Sequence, residues 1–190
     1  MHESKEIRAL YTEKTIRVYQ AYNRQIAEEA VRLGTFGPHF GMDRMTWIKP
    51  SFLWMMYRCG WGEKENQERV LAIDIRRDGF DRAVNAAVIS TYSENMGITK
   101  EEWQALIKES DVRVQWDPEK DINGDNLPYR SLQLGLRGKA LSEYVNEWIV
   151  NITDITAYVK ELNRLRSAGV DILDRLPREE VYLMVPVSVS

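Results

Sequence analysis

Two cations in this sequence stand inside or beside apolar runs, Lys49 in MTWIKP and Arg130 in YRSLQLGL. A cation so placed needs either solvent or an anion. One anion is internal, for example Asp74 in the aliphatic run RVLAIDIRR; the other is a ligand's phosphate. Around the two cations lie groups suited to the rest of a nucleotide. Tyr19, Gln20 and Tyr22 fall in TIRVYQAY, Thr46, Trp47 and Ser51 lead into an aromatic run that also carries Arg58, and Gln133 shares its segment with Arg130. Rings stack on aromatic faces, phosphates pair with Arg and Lys, and amides and hydroxyls hydrogen-bond sugar oxygens. If these segments adjoin, they line one cleft.

Other chemistries fit poorly. The histidines are His2 and His39 and the one cysteine is Cys59, so a zinc site would be built almost entirely from carboxylates, and no metal is expected. DINGDN offers Asp121, Asn123 and Asp125 at alternate positions, as a calcium loop does. Its glycine falls too early and Leu132 stands where the bidentate glutamate belongs, so it reads as a solvated turn. Cys59 follows Arg58 but lies in an aromatic helix, where a cysteine packs as a small hydrophobe. Trp54, Met55 and Met56, at helical spacing, read as core bracing that helix. There is no Walker loop, no GxGxxG and no Gly-x-Ser-x-Gly elbow.

These residues need elements to hold them. β-Branched and aromatic alternation predicts a strand over Thr15–Tyr22, and the period then changes to a helix ending at Gly34. After a loop broken by two glycines and a proline, MTWIKP is a short strand, and Pro50 with Ser51 opens the helix SFLWMMYRCG. RVLAIDIRR is a buried strand, DGFDRAVNAAVISTY a helix, and Thr99 with Glu102 caps the helix EEWQALIKES. Strand VRVQW, polar loop DPEKDINGDNLP and strand YRSLQLGL follow, the last with Leu132, Leu134 and Leu136 on one face and Tyr129, Ser131, Gln133 and Gly135 on the other. Helix KALSEYVNEW, strand WIVNIT, helix DITAYVKELNRLRSAG and strand VYLMVP complete the reading. Without a regular βαβ rhythm the expectation is an α+β fold, a single domain over 1–190.

Composition bounds the rest. Hydrophobic residues make up 44% of the chain and charged residues 29%, an ordinary folding balance. A net charge of −3, from 26 basic and 29 acidic residues, provides no global field toward nucleic acid or anionic membrane. No apolar stretch approaches the roughly 20 residues of a membrane span. The start MHESKEIRAL lacks a secretory signal's apolar run and the cysteine is single, so the expected setting is cytoplasmic, with no membrane partner.

Together, VYQAYNRQIAEEAV, RMTWIKPSFLWMMYRCGWG, QERVLAIDIRR, VRVQWDPEKD, PYRSLQLGL and EWIVNITDIT resemble the family named domain of unknown function 4291, across almost the whole chain. More distantly, the order of first strand with a following helix, glycine-bounded loop, polar strand start with helix, and aliphatic strand is similar to the ADP-ribosyltransferase-like superfamily. That similarity implies two small, mostly antiparallel sheets around a cleft with flanking helices, and NAD bound in the cleft as substrate.

By that resemblance the catalytic positions fall on Tyr19, Gln20, Arg130 and Gln133, and the nucleotide-binding ones on Tyr22, Thr46, Trp47, Lys49, Ser51 and Arg58. The chain departs from the pattern in two ways: no histidine stands on the first strand, and Gln133 takes the place of the glutamate that orients ribose and activates the acceptor. Glutamine hydrogen-bonds but is no base at neutral pH. RNA phosphotransferases of the superfamily use arginines and a histidine instead, and Lys49, Arg58 and Arg130 match the cationic half of such a site. The implied activity is transfer of ADP-ribose or processing of a nucleotide or RNA phosphate; the alternative is a nucleotide or nucleic-acid binding module without turnover. A third reading makes the aromatic run a partner-binding surface.

Overall fold

The structure, a computed structural model, describes residues 4–184. Along the chain these form β1 (Ser4–Lys5), β2 (Arg8–Ala9), β3 (Thr15–Tyr22), α1 (Arg24–Leu33), β4 (Thr46–Ile48) and α2 (Phe52–Cys59). Next come β5 (Arg69–Arg76), α3 (Arg77–Ala86), β6 (Val88–Ile89), α4 (Lys100–Glu109), β7 (Val112–Lys120) and β8 (Asn126–Leu136). Last are α5 (Gly138–Glu143), β9 (Ile149–Asp154), α6 (Thr156–Ser167) and β10 (Glu180–Val181). The result is a mixed α and β domain.

Three strands form one antiparallel sheet in the order β3, β5, β9. A second sheet runs β1, β8, β7, β6, with β4 also paired to β8. Its long central pair β7–β8 is antiparallel, while β1 and β6 join their neighbours in parallel. β2 and β10 make a separate antiparallel pair.

The strand β4 joins the two sheets. Thr46, Trp47 and Ile48 pair with Leu136, Gly135 and Leu134 of β8, and the Lys49 carbonyl then accepts the Tyr19 N–H of β3 at 2.8 Å. β4 is only three residues long, so the chain passes from its pairing with β8 to its bridge with β3 within four residues, Thr46 to Lys49. The side chains of β3, β4, β7 and β8 are therefore brought to one corner.

Two apolar clusters flank that corner. Ile16, Val18, Ile73, Leu132, Leu134, Leu136 and Tyr144 belong to the larger one, which fills the space between the sheets. Tyr19, Phe52, Met55, Met56, Cys59, Val159 and Leu162 belong to the second, which packs α2 and α6 on the outer face of β3 and β5. Trp54, Met55 and Met56 are all buried. Burial raises the pKa of the Cys59 thiol, in keeping with a packed hydrophobe.

Several elements differ from expectation. The helix over DGFDRAVNAAVISTY stops at Ala86, because β-branched Val88 and Ile89 pair with β7 and the Ser90 N–H reaches the Val114 carbonyl at 2.8 Å. The polar loop DPEKDINGDNLP is mostly strand: β7 continues to Lys120 and β8 begins at Asn126. Glu119 within it is buried and accepts the Ser51 hydroxyl at 2.9 Å. The stretch resembling a calcium loop is the hairpin turn, where the Asp121 carboxylate accepts the N–H groups of Asn123 and Asp125. KALSEYVNEW leaves regular helix after Glu143 and continues as a π turn over Tyr144–Trp148. Of VYLMVP, Val181 ends β10, and residues 185 and 186 lie outside the described ones. Among the described residues no helix is long and apolar enough to cross a membrane.

Candidate functional site

At the corner where β4 joins the sheets lies a cleft of about 560 Å³. β3 contributes Gln20 and Tyr22, β4 and its flanks contribute Arg44, Thr46, Trp47 and Lys49, and α2 contributes Arg58. Gln115 of β7 and Gln133 of β8, directly paired across the strands, form the opposite wall. Asn66 and Gln67 border it from the loop before β5.

Charge is the distinctive property of this lining. Arg44, Lys49 and Arg58 are basic residues, and among the described residues no aspartate or glutamate lines the cleft. In a chain of net charge −3, three basic side chains in one lining, with no described carboxylate among them, make a local concentration of positive charge.

Lys49 is its most buried cation, with 6% of its surface exposed. Its ammonium lies 5.1 Å from the Trp54 ring centroid, a cation–π contact that replaces part of the lost hydration. Burial, with Arg58 adding to it, lowers its pKa to about 8; Asp117 and Cys59 act in the opposite direction. Asp74, the internal partner considered for it, is taken: both its oxygens accept from Arg17, at 2.8 and 2.9 Å.

Trp47 contributes an aromatic side chain to the lining, and a glycine makes room for it. Trp47 stands opposite Gly135, where a Cβ would fall 3.0 Å from the indole and 2.7 Å from the Met45 sulfur. A glycine inside a central strand weakens it, and here the missing side chain is what seats the ring.

Asp117 fixes the glutamine wall. Its Oδ1 accepts from Gln115 Nε2 at 2.8 Å, and its Oδ2 accepts from Gln133 Nε2. Gln20 is more fully committed: Nε2 donates to the Tyr22 hydroxyl at 2.8 Å and to the Trp47 carbonyl at 3.2 Å, while Oε1 accepts from Tyr144 at 2.7 Å. With both amide hydrogens used, Gln20 braces the corner. Tyr22 is partly buried, edge-on against Phe36 and Phe40, and desolvation of its hydroxyl raises its pKa. Neither Gln20 nor Tyr22 is a ready proton acceptor.

The structure thus gathers Gln20, Tyr22, Thr46, Trp47, Lys49, Arg58 and Gln133 at one cleft. It does not bring Tyr19, Ser51 or Arg130 there. Tyr19 points to the other face of β3, edge-on to Phe52 at 5.4 Å, and its buried hydroxyl has no hydrogen-bond partner among the described residues. Ser51 caps α2, accepting the Trp54 N–H at 3.1 Å while donating to Glu119. Arg130 donates to the Trp116 carbonyl at 3.0 Å. Arg130 and Gln133 are three residues apart on one strand, so alternation sends them to opposite faces, and the same rule separates Tyr19 from Gln20.

Sequence reasoning missed Arg44, Asn66, Gln67 and Gln115, with Asp117 behind them. Alternation in VRVQW, with Val112 and Val114 buried, was a signal that Gln115 faces away from the core beside Gln133. Arg44 and the pair Asn66–Gln67 lie in loops, where no periodicity marks a side chain's direction. Among the described residues no group of three His, Cys, Asp or Glu is placed to hold a metal ion.

No curated protein matches the chain. Residues 6–182 match a family described as a domain of unknown function, 4291, and over that span nearly every element described above is included. The chain belongs to the family of domain of unknown function 4291.

Proposed function

We propose that this protein binds a phosphate-bearing nucleotide, NAD or a related molecule, in the cleft at the β4 corner. The observation that carries the reading is the lining: among the described residues it has three cations, no carboxylate and one seated indole. Lys49, Arg58 and Arg44 pair with phosphate oxygens, Trp47 stacks a ring, and Gln133 with Gln115 hydrogen-bonds polar groups between them. A free nucleotide fits better than a nucleic-acid strand, because a corner cleft on an acidic chain lacks the extended basic track that a strand needs.

A second reading adds turnover, in the manner of an ADP-ribosyltransferase. Two mostly antiparallel sheets meeting around a cleft support it, and so does Lys49, whose lowered pKa makes it the lining group best able to take a proton near neutral pH. In that chemistry the glycosidic C–N bond of NAD breaks, nicotinamide leaves, and the acceptor's oxygen or nitrogen bonds to the ribose carbon as its proton passes to the amine. Among the described residues the lining holds no carboxylate to do this work, so binding without turnover is the primary reading.

Both are tested by one set of incubations. Thermal melting with NAD, ADP-ribose, ADP and adenosine should show stabilisation by the three phosphate-bearing ligands and little by adenosine. Radiolabelled NAD with protein, DNA and RNA acceptors then separates binder from transferase. Equal melting temperatures with and without every ligand would remove the nucleotide reading.

A further inference from the structure

Lys49 has an environment that a simple phosphate-pairing lysine does not need. Trp54, Arg58 and Cys59 face it from α2 and Asp117 faces it from β7, and among the described residues its ammonium forms no ion pair. An amine kept dry beside a second cation sheds its proton more readily than an exposed one. The free base so formed is a nucleophile toward carbonyl carbon, and burial next to a cationic group is a recognised way of activating one. A plain electrostatic contact would be served as well by an arginine, whose charge burial does not remove. Arg44 and Arg58 already provide such charges in this cleft.

We propose that Lys49 is a covalent capture site for a phosphate-bearing aldehyde, with the arginines holding the phosphate while the Lys49 Nζ condenses with the carbonyl carbon. The inference rests on reading the cleft as a phosphate site. In the step, the ammonium first loses a proton to solvent and Nζ then bonds to the aldehyde carbon. The amine's two remaining hydrogens leave with the carbonyl oxygen as water, and a C=N bond remains. No oxidant or reductant is needed, and water reverses the step. Ligands of this class include open-chain sugar phosphates and the ring-opened terminal ribose of ADP-ribose. The last of these links capture to the nucleotides proposed above.

The probe is pyridoxal 5′-phosphate, with pyridoxal as its phosphate-free counterpart. Full-length protein is incubated with each at low concentration, the imine is fixed with borohydride, and the labelled peptides are mapped by mass spectrometry. Lys49 should take the label ahead of solvent-exposed lysines such as Lys139, whose side chain is 84% exposed. Pyridoxal should label Lys49 about tenfold less, and ADP should protect it. Label spread over surface lysines with Lys49 untouched would overturn the inference, as would equal labelling of Lys49 by both probes. If ADP stabilises the protein but Lys49 is not labelled, capture fails and nucleotide binding stands. If the phosphate probe labels Lys49 while no nucleotide stabilises the protein, the nucleotide reading fails and capture stands.

Discussion

Trp47 and Gly135 face each other across β4 and β8, and the space left by the absent Cβ is filled by the indole and the Met45 sulfur. The seating of the Trp47 ring in the cleft therefore depends on a residue that contributes no side chain. Gly135→Ala is expected to push Trp47 and Met45 aside at about 1–3 kcal/mol, the usual range for overpacking. Urea unfolding checks that loss. Quenching of tryptophan fluorescence by ADP should weaken beyond what the stability change explains, if Trp47 is the stacking face.

Lys49 makes stability and binding respond to pH in opposite directions. Its pKa is about 8 in the folded chain against the usual 10.5, so at pH values between these the unfolded chain holds a proton that the folded chain has released. The penalty for burying the charge is full below pH 8 and shrinks as pH rises toward 10.5. At neutral pH it is on the order of 3 kcal/mol, at 1.36 kcal/mol per unit. Lys49→Met is expected to melt at or above wild type at pH 7, with the difference closing by pH 10. Anion affinity should run the other way, falling as pH rises through about 8, when the ammonium loses its charge. Titration calorimetry with ADP at pH 6.5, 7.5 and 9, in salt-matched buffers, measures it.

Asp117 holds two glutamines from behind the wall, and its removal frees both. Asp117→Ala should reduce ADP affinity about three- to tenfold, through lost positioning rather than lost contact. A double-mutant cycle with Gln133→Ala is the check: the combined effect should fall well short of the sum of the two single effects.

Ser51 separates a structural role from a ligand role. Its hydroxyl caps α2 and donates to buried Glu119, whose pKa burial raises. Ser51→Ala is expected to lower stability by about 1–3 kcal/mol, combining a lost cap with a carboxylate short of a donor. ADP affinity per folded molecule should stay within twofold of wild type, since the residue does not reach the cleft.

Where a local signal carried the structure, the sequence was sufficient. β3 begins and ends where Thr15–Tyr22 alternates, α1 stops at Gly34 in the left-handed region, and Thr99 with Glu102 makes its capping box. The corner itself came from pairing that no local pattern encodes. Nothing in MTWIKP states that one side of it lies on β8 while Lys49 bridges to β3. Arg130 and Tyr19 lie outside this lining for a different reason: a period of two puts them on the faces away from Gln133 and Gln20. Arg44 and Asn66–Gln67 enter through loop geometry, and Asp117 matters through the two amides it orients.

The central claim is that the β4 corner holds phosphate through Lys49 and its neighbouring arginine, and not through Arg130. It is tested most directly by titrating ADP into wild type, Lys49→Ala, Arg58→Ala and Arg130→Ala at pH 7. The account expects binding in wild type, losses of about tenfold or more in the Lys49 and Arg58 variants, as befits a removed charge-assisted contact, and near wild-type affinity in the Arg130 variant. Wild-type affinity in Lys49→Ala, or a loss confined to Arg130→Ala, would contradict it.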